Sequence, residues 1–320
     1  MIQSYRQKTY SKGASLLKFG FKVIEKFILP NSNDNSPDAV FIIGPPRSGT
    51  TLLYQLMLYH YHFAYFSNFT VKFYRTPIIA SWLGKILHKN QNSSYGFTSN
   101  YGQTKNRWGP HEAGEFWYQW FPRGEHVYVA HGKTPKLHLK ELRQGIIGMN
   151  NITGMPVIFK NTYNSMRIAP IMEAIPEACF LVCRRNPLDI AQSILNARIK
   201  AQKDKNQWWA LPPKEIDQIK AHPYWEQVIE QVYYTYQQIE TDKNQFQANR
   251  FYDISYESLC KNTHDTMSSV EQFLNGNDIV LTSQNKLIPS HLSFSTGKKV
   301  SDKDYYLIVE TANKLWREHH

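Results

Sequence analysis

The sequence predicts an α/β fold, a parallel sheet of the P-loop type flanked by helices. Short continuous apolar runs, AVFII (39–43), MPVIFK (155–160) and ACFLVCRR (178–185), are typical of strands buried on both faces. A helix-like stretch follows each run, and alternating strands and helices favour a parallel sheet covered on both sides. The first run leads directly into a glycine loop and a helix, which is the setting of a phosphate-binding loop.

The chain is interpreted as a single domain, residues 1–320. Residues 1–37 hold an N-terminal helix and a polar linker, and residues 38–62 hold the first strand, the loop and its helix. Residues 63–140 are rich in aromatic residues, asparagine and glycine, and show no strand–helix rhythm. We expect them to form an insertion over the open end of the sheet, where ligands of such folds bind. Residues 151–300 return to the strand–helix alternation.

The later elements follow the same alternation. Residues 165–174 read as a helix after the second strand, and NPLDIAQSILNARI begins a helix with Pro187 in its first turn. NRFYDISYESL predicts a further strand, followed by the helix HDTMSSVEQFL. Residues 200–225, with paired tryptophans and prolines, read either as a mobile lid or as a long surface loop.

Charge and cysteine content narrow the class of protein. The 320 residues carry a net charge of +11 and an isoelectric point near 9.3, which favours anionic ligands such as nucleotides, nucleic acid or an acidic membrane surface. Three cysteines without a C-x-x-C pair argue against a disulfide framework and a zinc site. We therefore expect a reduced, cytoplasmic setting.

The N-terminal region is basic and amphipathic. Residues 16–28 alternate apolar residues and lysines at near-helical spacing. Such a helix either lies on a membrane or packs its apolar face on its own domain, and the second is the expectation. Neither a signal peptide nor a transmembrane segment is evident in the sequence.

The loop GPPRSGTT (44–51) matches the glycine spacing of the ATP- and GTP-binding motif but has Thr50 in the lysine position. Backbone N–H groups, three hydroxyls and Arg47 would still hold an anion at the helix N-terminus. The later strand ends, VIFKNT and FLVCRRN, carry cations where a magnesium-binding aspartate would be needed. This predicts a metal-free site that suits a sulfuryl group. Its residues are Pro46, Arg47, Ser48, Gly49, Thr50 and Thr51.

Several motifs together resemble the sulfotransferases that use 3′-phosphoadenosine 5′-phosphosulfate (PAPS), in particular the bacterial branch with a PRSGTT loop. The resemblance implies PAPS as donor, 3′-phosphoadenosine 5′-phosphate (PAP) as product, and no metal. GPPRSGTTLL is similar to the family's 5′-phosphosulfate loop. VCRRNPLDIAQSIL resembles its 3′-phosphate motif, which implies Arg185 and Ser193, with Arg184 as the competing arginine. The resemblance also implies Tyr256 near the adenine, and Gly297 and Lys298 of STGKKVS closing on the 3′-phosphate.

The acceptor side centres on RWGPHEAGEFWYQWFP (107–122). Its similarity to a segment of bacterial sulfotransferases favours Glu112 as the base, with His111 second and Glu115 third. Alternatively, Glu112 caps a helix that begins near Pro110. Lys160 resembles the family lysine that approaches the transferred group, and a buried lysine at this edge needs an anionic partner.

These features predict sulfuryl transfer from PAPS to a hydroxyl or amine of a small metabolite or glycan. A saxitoxin-like alkaloid is one acceptor that Glu112 and Glu115 would suit. A protein-tyrosine acceptor is disfavoured, and no nucleic-acid partner is expected; peripheral membrane contact stays open. The alternatives are an ATP- and magnesium-dependent P-loop phosphotransferase and a non-enzymatic polyanion-binding protein, whose binding would fall steeply with salt.

Overall fold

Four parallel strands form the centre of the structure, a computed structural model that describes residues 12–32, 36–88, 104, 106–294 and 296–317. In chain order they are β1 (Ala39–Ile43), β2 (Val157–Lys160), β3 (Cys179–Arg184) and β4 (Phe251–Ser255). They lie in the order β2–β1–β3–β4, and each neighbouring pair is parallel. The predicted parallel α/β fold is confirmed.

An aromatic layer joins the strands on one face of the sheet. The register places Phe41 opposite Phe159 on one side and Phe180 on the other, and both ring pairs stack with centroids 5.3 Å apart. Phe180 stacks in turn on Phe251 at 4.8 Å. Stacked rings add to the hydrophobic stabilisation, so the strands are fixed relative to one another. The alternate residues, such as Ile42, are fully buried on the other face.

Helices cover both faces. In the described part of the chain they are α1 (Lys12–Ile28), α2 (Thr50–His60), α3 (Pro77–His88), α4 (Gly114–Trp117), α5 (Lys136–Thr153), α6 (Ile168–Ala174), α7 (Pro187–Gln202), α8 (Ile216–Lys220), α9 (Tyr224–Gln245), α10 (Tyr256–Lys261), α11 (Thr263–Asn275) and α12 (Asp302–Arg317).

Each group of helices has its own apolar contacts. Leu53 of α2 and Val270 of α11 pack on the sheet face that carries Ile42. Ile146 of α5 and Ile171 of α6 pack on the aromatic face. Helices α7, α9 and α12 form a third apolar cluster. The sheet is therefore buried on both sides, as continuous apolar strands require.

The stretch 165–174 is only partly α-helical. A 3-10 helix, Thr162–Met166, follows β2, and α6 begins after it. Asn161 caps the 3-10 helix by accepting a hydrogen bond from the Tyr163 N–H at 2.9 Å. This side-chain cap stabilises a tight turn directly after the strand, where the sequence pattern predicted one continuous helix.

The stretch 200–225 packs against the body of the protein. The Gln231 amide of α9 donates to the carbonyl oxygens of Trp209 at 3.1 Å and Leu211 at 2.7 Å. Leu211 is fully buried. These contacts favour the packed surface segment over the lid.

The N-terminal helix is held by one buried carboxyl group. Glu25 accepts hydrogen bonds from the backbone N–H groups of Ile78 (2.8 Å) and Ile79 (3.1 Å), at the start of α3. Beside it, the Phe21 and Phe73 rings pack with centroids 5.6 Å apart. α1 is thus docked on α3 through Glu25 and Phe21, whereas Phe19, Val23 and Phe27, which belong to the apolar face expected to pack on the domain, remain exposed. None of the helices in the described part of the chain combines the length and apolar character of a membrane span.

The Glu25 contact predicts a pH dependence of folding. Burial raises the pKa of Glu25 from 4.5 to about 7. The folded protein therefore keeps this proton where the unfolded chain has lost it, so the contribution to stability falls as the pH rises from 4.5 through about 7. Ionisation at this site should lower the free energy of unfolding by about 2 kcal/mol between about pH 5 and about pH 8.

Denaturant unfolding of Glu25→Gln should lack this decrease, whereas Glu310→Gln, a change at an exposed carboxylate of α12, should keep it. An unchanged pH dependence in Glu25→Gln would contradict this assignment.

Candidate functional site

The loop between β1 and α2 takes a conformation that depends on glycine. Gly44 and Gly49 have φ angles of 143° and 100°, which L side chains rarely adopt. The Gly44 N–H donates to the Ser165 hydroxyl at 3.0 Å, and that hydroxyl donates to the Gly44 carbonyl at 3.2 Å. A Cβ atom on Gly49 would lie 2.3 Å from Cδ2 of Tyr256. The second glycine therefore permits both the turn and the close approach of the tyrosine.

The N-terminus of α2 is built to receive an anion. Its N-cap, Gly49, provides no side-chain hydrogen bond, so the first-turn N–H groups point outward from the helix start. Thr50 is 3% exposed and Thr51 is half-buried at this position. The Ser48 hydroxyl instead donates to the Pro45 carbonyl at 2.8 Å, so it holds the loop.

Two hydrogen bonds join the loop to the segment that the sequence predicts to bind the 3′-phosphate. Arg47 Nε donates to the Ser193 hydroxyl at 2.9 Å, across 146 residues of chain. Arg185 Nη1 donates to the Arg47 carbonyl at 3.0 Å. Arg47 itself is left-handed, with φ at 73°, which costs a non-glycine residue about 1 kcal/mol. The loop and the start of α7 thus form a single polar site.

The two neighbouring arginines at the end of β3 point to different partners. Arg184 donates from Nε to Asp253 at 2.6 Å and also pairs with Glu240. Arg185 lies over the Tyr256 ring, with its Cζ 4.4 Å from the ring centroid. Arg184, the last residue of β3, is thus held by acidic side chains, whereas Arg185, which follows the strand, contacts the loop.

The late glycine loop lies against α7. Gln192 donates to the Gly297 carbonyl at 3.4 Å and accepts from the Lys299 N–H at 2.7 Å. Gly297 has φ at 82°. Lys298 is exposed and pairs with Asp302.

Lys299, which the sequence interpretation left out, is the lysine that faces the site. Its Nζ lies 3.7 Å from Asp189. Burial lowers the pKa of Lys299, and the charges of Arg185 and Arg47 lower it further, although Asp189 opposes them. The sequence GKK does not show which of its two lysines faces the site. The path of the late glycine loop shows that it is the second.

Lys160 and Glu112 form an ion pair at the end of β2. The lysine side chain is 4% exposed, whereas Glu112 is 37% exposed. Asn161 donates to the Glu112 carbonyl at 3.0 Å and fixes this segment beside the strand. The buried lysine therefore has an anionic partner within the chain, which lowers the cost of burial.

Glu112 does not cap a helix. The short helix α4 begins at Gly114, its N-cap is Ala113, and no side chain caps it. Ala113 is left-handed, with φ at 50°, so the chain turns sharply between Glu112 and the helix. The carboxylate is instead directed to Lys160.

His111 has one ring nitrogen engaged by the backbone. Its Nδ1 lies 2.8 Å from the Ala113 N–H and accepts its hydrogen bond. Burial lowers the pKa of His111, against the opposing effect of Glu112, although part of the residue remains exposed. A neutral imidazole with Nδ1 as acceptor carries its proton on Nε2. In this tautomer His111 can donate a proton but has no second nitrogen to accept one.

Comparison with known proteins identifies the family. A family model described as the sulfotransferase family matches residues 37–277, which is most of the chain. The chain belongs to the sulfotransferase family. A comparison of the sequence with curated proteins gives no match.

Solved structures agree on the fold of this sulfotransferase. Sulfotransferase STF9 from Mycobacterium avium is 12% identical with a TM-score of 0.52, over 96% of this chain and 74% of that one. Sulfotransferase STF1 from Mycobacterium tuberculosis is 14% identical with a TM-score of 0.51, over 95% and 82%. At such low identity the likeness concerns the fold alone.

Two cavities among the described residues bear on the function, and the first lies beside α7. It measures about 330 Å³ and lies between the N-terminal turn of α7 and the late glycine loop. Asn186 and Gln192 line one side, and Glu257, Gly297 and Tyr305 line the other. Its carboxylates suit an uncharged, hydrogen-bonding group better than a phosphate.

The second cavity, which we call the aromatic cavity, measures about 590 Å³. Its lining includes Tyr118, the C-cap residue of α4. None of its lining residues, all of them described by the structure, is acidic. Within the lining, Thr134 Oγ1 and His138 Nδ1 are buried without a hydrogen-bond partner. The lining residues that carry rings or polar groups are Tyr118, Gln119, Trp120, Phe121, His126, Tyr128, Lys133, Thr134 and His138.

A fully buried cation lies behind the aromatic cavity. The Arg167 guanidinium carbon is 5.0 Å from the Tyr118 centroid and 5.3 Å from the Phe121 centroid. Arg167 is 0% exposed and forms no ion pair with a described carboxylate. Burial lowers its pKa, and only the nearby tyrosines oppose this effect. An uncompensated buried charge is costly, so the aromatic rings carry part of its stabilisation.

Among the described residues, one group could gather metal ligands: His222, Glu226 and Glu230, with ligand atoms within 4.8 Å of one another. His222 Nδ1 already lies 2.8 Å from Glu230, and this carboxylate raises the pKa of the histidine. The group belongs to the start of α9 and not to the loop site.

Proposed function

We propose that this sulfotransferase transfers a sulfuryl group from PAPS to a hydroxyl or amine of a small acceptor and releases PAP. The observation that carries the proposal is the joined cation site, in which Arg47 bonds to Ser193 and Arg185 bonds to the Arg47 carbonyl. PAPS carries two anionic groups on one nucleotide. A site that unites the uncapped start of α2 with cations at the start of α7 matches both groups.

The donor would be divided among three sets of residues. Arg47, Thr50, Thr51 and the loop backbone would hold the 5′-phosphosulfate. Arg185, Ser193 and Lys299 would hold the 3′-phosphate, with Lys298 outside the contact. Gly297, which lines the 330 Å³ cavity, and Tyr256, the neighbour of the lining residue Glu257, would border the nucleoside.

In the transfer, the bond from sulfur to the bridging oxygen breaks, and its electron pair leaves with PAP. A bond forms between sulfur and the acceptor atom, whose proton passes to a base. Lys160 and Arg47 would stabilise the charge that develops on the bridging and sulfuryl oxygens. We propose Glu112 as the base, because His111 carries its proton on Nε2 and can therefore only donate one.

The ion pair suggests how donor binding prepares the base. The donor's sulfonate competes with Glu112 for Lys160, since both are anions that seek the same buried ammonium group. As the lysine turns to the sulfonate, the carboxylate loses its ion-pair partner and is free to take up the acceptor's proton. Proton abstraction is thus favoured only when the donor is bound.

The acceptor we propose occupies the aromatic cavity and is a ring-bearing molecule that is anionic or neutral. Lys133, His126 and His138 line the cavity, and Arg167 lies behind it. Glu112 and Glu115, the carboxylates expected to attract a saxitoxin-like cation, are ion-paired with Lys160 and Arg123. A cationic acceptor would therefore find few unpaired charges to match it.

Two carboxyl groups interact electrostatically with Tyr128 of the aromatic cavity and oppose the preference for an anionic or neutral acceptor. Burial raises the pKa of Tyr128, and the charges of Asp242 and Glu215 raise it further. Burial raises the pKa of Asp242 to about 6, which reduces its negative charge near that pH. The balance around the cavity remains cationic.

The two rival functions are less well supported. A phosphotransferase that uses ATP and magnesium needs a carboxylate at a strand end, but β2 and β3 end in Lys160 and Arg184. A polyanion-binding protein would need an extended charged surface rather than a joined pocket. The three cysteines are buried and free, which suits the reduced cytoplasmic location that we include in the proposal.

The donor site is tested by calorimetric titration with PAP and with ATP·Mg²⁺. Arg185→Ala should weaken PAP binding by about 100-fold, because a charge-assisted contact to phosphate is lost. Arg184→Ala, the change at its neighbour, should keep the affinity but lower the thermal stability. Lys299→Gln and Lys298→Gln form a second matched pair, in which only the first should lose affinity. Tighter binding of ATP·Mg²⁺, or equal effects at Arg184 and Arg185, would contradict the PAPS proposal.

The base is tested by turnover of PAPS with 4-nitrophenol as the acceptor probe. Glu112→Gln should lower kcat by about 100-fold or more without weakening PAP binding, because proton transfer is lost while Lys160, released from the carboxylate, stays available to the nucleotide. Glu115→Gln, a change at an exposed carboxylate of the same segment, should leave kcat nearly unchanged. If His111→Gln abolishes turnover and Glu112→Gln does not, the histidine is the base.

The charge of the acceptor is tested with three phenols of similar size, 4-hydroxybenzoate, 4-hydroxybenzyl alcohol and tyramine. The anion and the neutral alcohol should exceed the cation in kcat/KM by about tenfold or more, since like charges repel in the cavity. Lys133→Gln should narrow the gap, and Lys136→Gln, outside the lining, should not. A preference for tyramine would refute the assignment of the acceptor to the aromatic cavity. If PAP still binds in that case, the donor-site proposal stands.

A further inference from the structure

Large apolar side chains are exposed mainly on two neighbouring helices. Of the 14 exposed large hydrophobic residues in the described part of the chain, nine belong to α1, the link after it and α3. Phe27 is 86% exposed, Phe19 is 68% exposed and Trp82 is 44% exposed. We call these nine residues the α1–α3 face: Phe19, Val23, Ile24, Phe27, Ile28, Leu29, Trp82, Ile86 and Leu87.

The spacing of these residues shows why they remain outside. Phe19, Val23 and Phe27 recur every four residues, so they share one side of α1. Phe21 and Glu25 lie on the other side, where they contact Phe73 and the start of α3. The helix therefore uses one face to dock and leaves an apolar face in solvent. Contiguous apolar surfaces of this kind commonly mark interaction sites.

The charges on both helices have one sign. Lys22, Lys26 and Lys85 are exposed, and the sequences of α1 and α3 contain a single acidic residue, Glu25. Glu25 is 6% exposed and is directed to the backbone of α3. The α1–α3 face thus combines apolar rings with a rim of lysines.

This charge pattern distinguishes between two possible binding partners of the α1–α3 face, a second copy of the chain and an anionic lipid surface. A second copy of the chain would place the same face on both partners and bring these lysines together without acidic residues to pair with them. An anionic lipid surface complements both features, because it accepts the apolar side chains and attracts the lysines. Tryptophan, as at Trp82, is favoured at such an interface.

We propose that the α1–α3 face binds the protein peripherally to membranes that contain anionic lipids. Binding by this face requires no membrane-spanning helix, since the apolar side chains enter only the boundary between headgroups and acyl chains. The site is separate from the donor site, so the two proposals succeed or fail independently.

The test is co-sedimentation of the full-length protein with vesicles of phosphatidylcholine, alone or with about one-third phosphatidylglycerol. The protein should bind the anionic vesicles, and added salt should weaken the binding. Phe27→Ser and the pair Lys22→Gln/Lys26→Gln should each reduce binding by about fivefold or more.

The matched controls are Leu287→Ser, at a residue that is 90% exposed outside the α1–α3 face, and Lys303→Gln on α12. Both should bind like the unaltered protein, and circular dichroism should show that all variants are folded. Failure to bind anionic vesicles, or equal binding to neutral ones, would overturn the proposal. A dimer in sedimentation velocity that Phe27→Ser dissociates would assign the face to a second copy instead.

Discussion

The hydrogen bond from Arg47 to Ser193 is the contact on which the candidate site depends. It is possible because β1 and β3 are adjacent and parallel, so both chains leave the sheet at the same edge. Backbone hydrogen bonds set the distance between these strands, and the stacked rings of Phe41 and Phe180 pack across them. Loop, strand end and helix N-terminus therefore meet although 146 residues separate the bonded groups. We therefore expect changes to the apolar residues of β1 and β3 to disturb the site, as loss of Arg47 would.

The same arrangement concentrates positive charge that the protein only partly neutralises. Arg47, Arg185 and Lys299 lie close enough for the arginines, together with burial, to lower the pKa of the lysine, and Asp189, 3.7 Å from Lys299, opposes this effect. Such crowding is unfavourable until an anion enters. In the proposed function, binding of the nucleotide phosphates would relieve this repulsion. Lys160, by contrast, already has an anionic partner in Glu112.

The sequence was sufficient for the fold and for the neighbourhood of the loop, because both depend on local patterns. Continuous apolar runs predict buried parallel strands, and strand ends in a parallel sheet share an edge. Side-chain direction was not accessible in this way. A sequence pattern does not tell Arg184 from Arg185, or Lys298 from Lys299. Only the path of the backbone at the end of β3 and in the late glycine loop distinguishes the members of each pair. The Lys160–Glu112 pair was also out of reach, since nothing local relates β2 to residue 112.

The location of the positive charge bears on the kind of protein this is. A net charge of +11 would suit a general polyanion binder if it were spread over one surface. Instead, three groups of described cations lie in different surroundings: the joined site around Arg47, the aromatic cavity with Arg167 behind it, and the lysine rim of the α1–α3 face. Each setting has a different chemical character, respectively hydrogen-bonding, aromatic and apolar. A uniform polyanion would match none of them well, whereas a nucleotide, a ring-bearing acceptor and a lipid surface each match one.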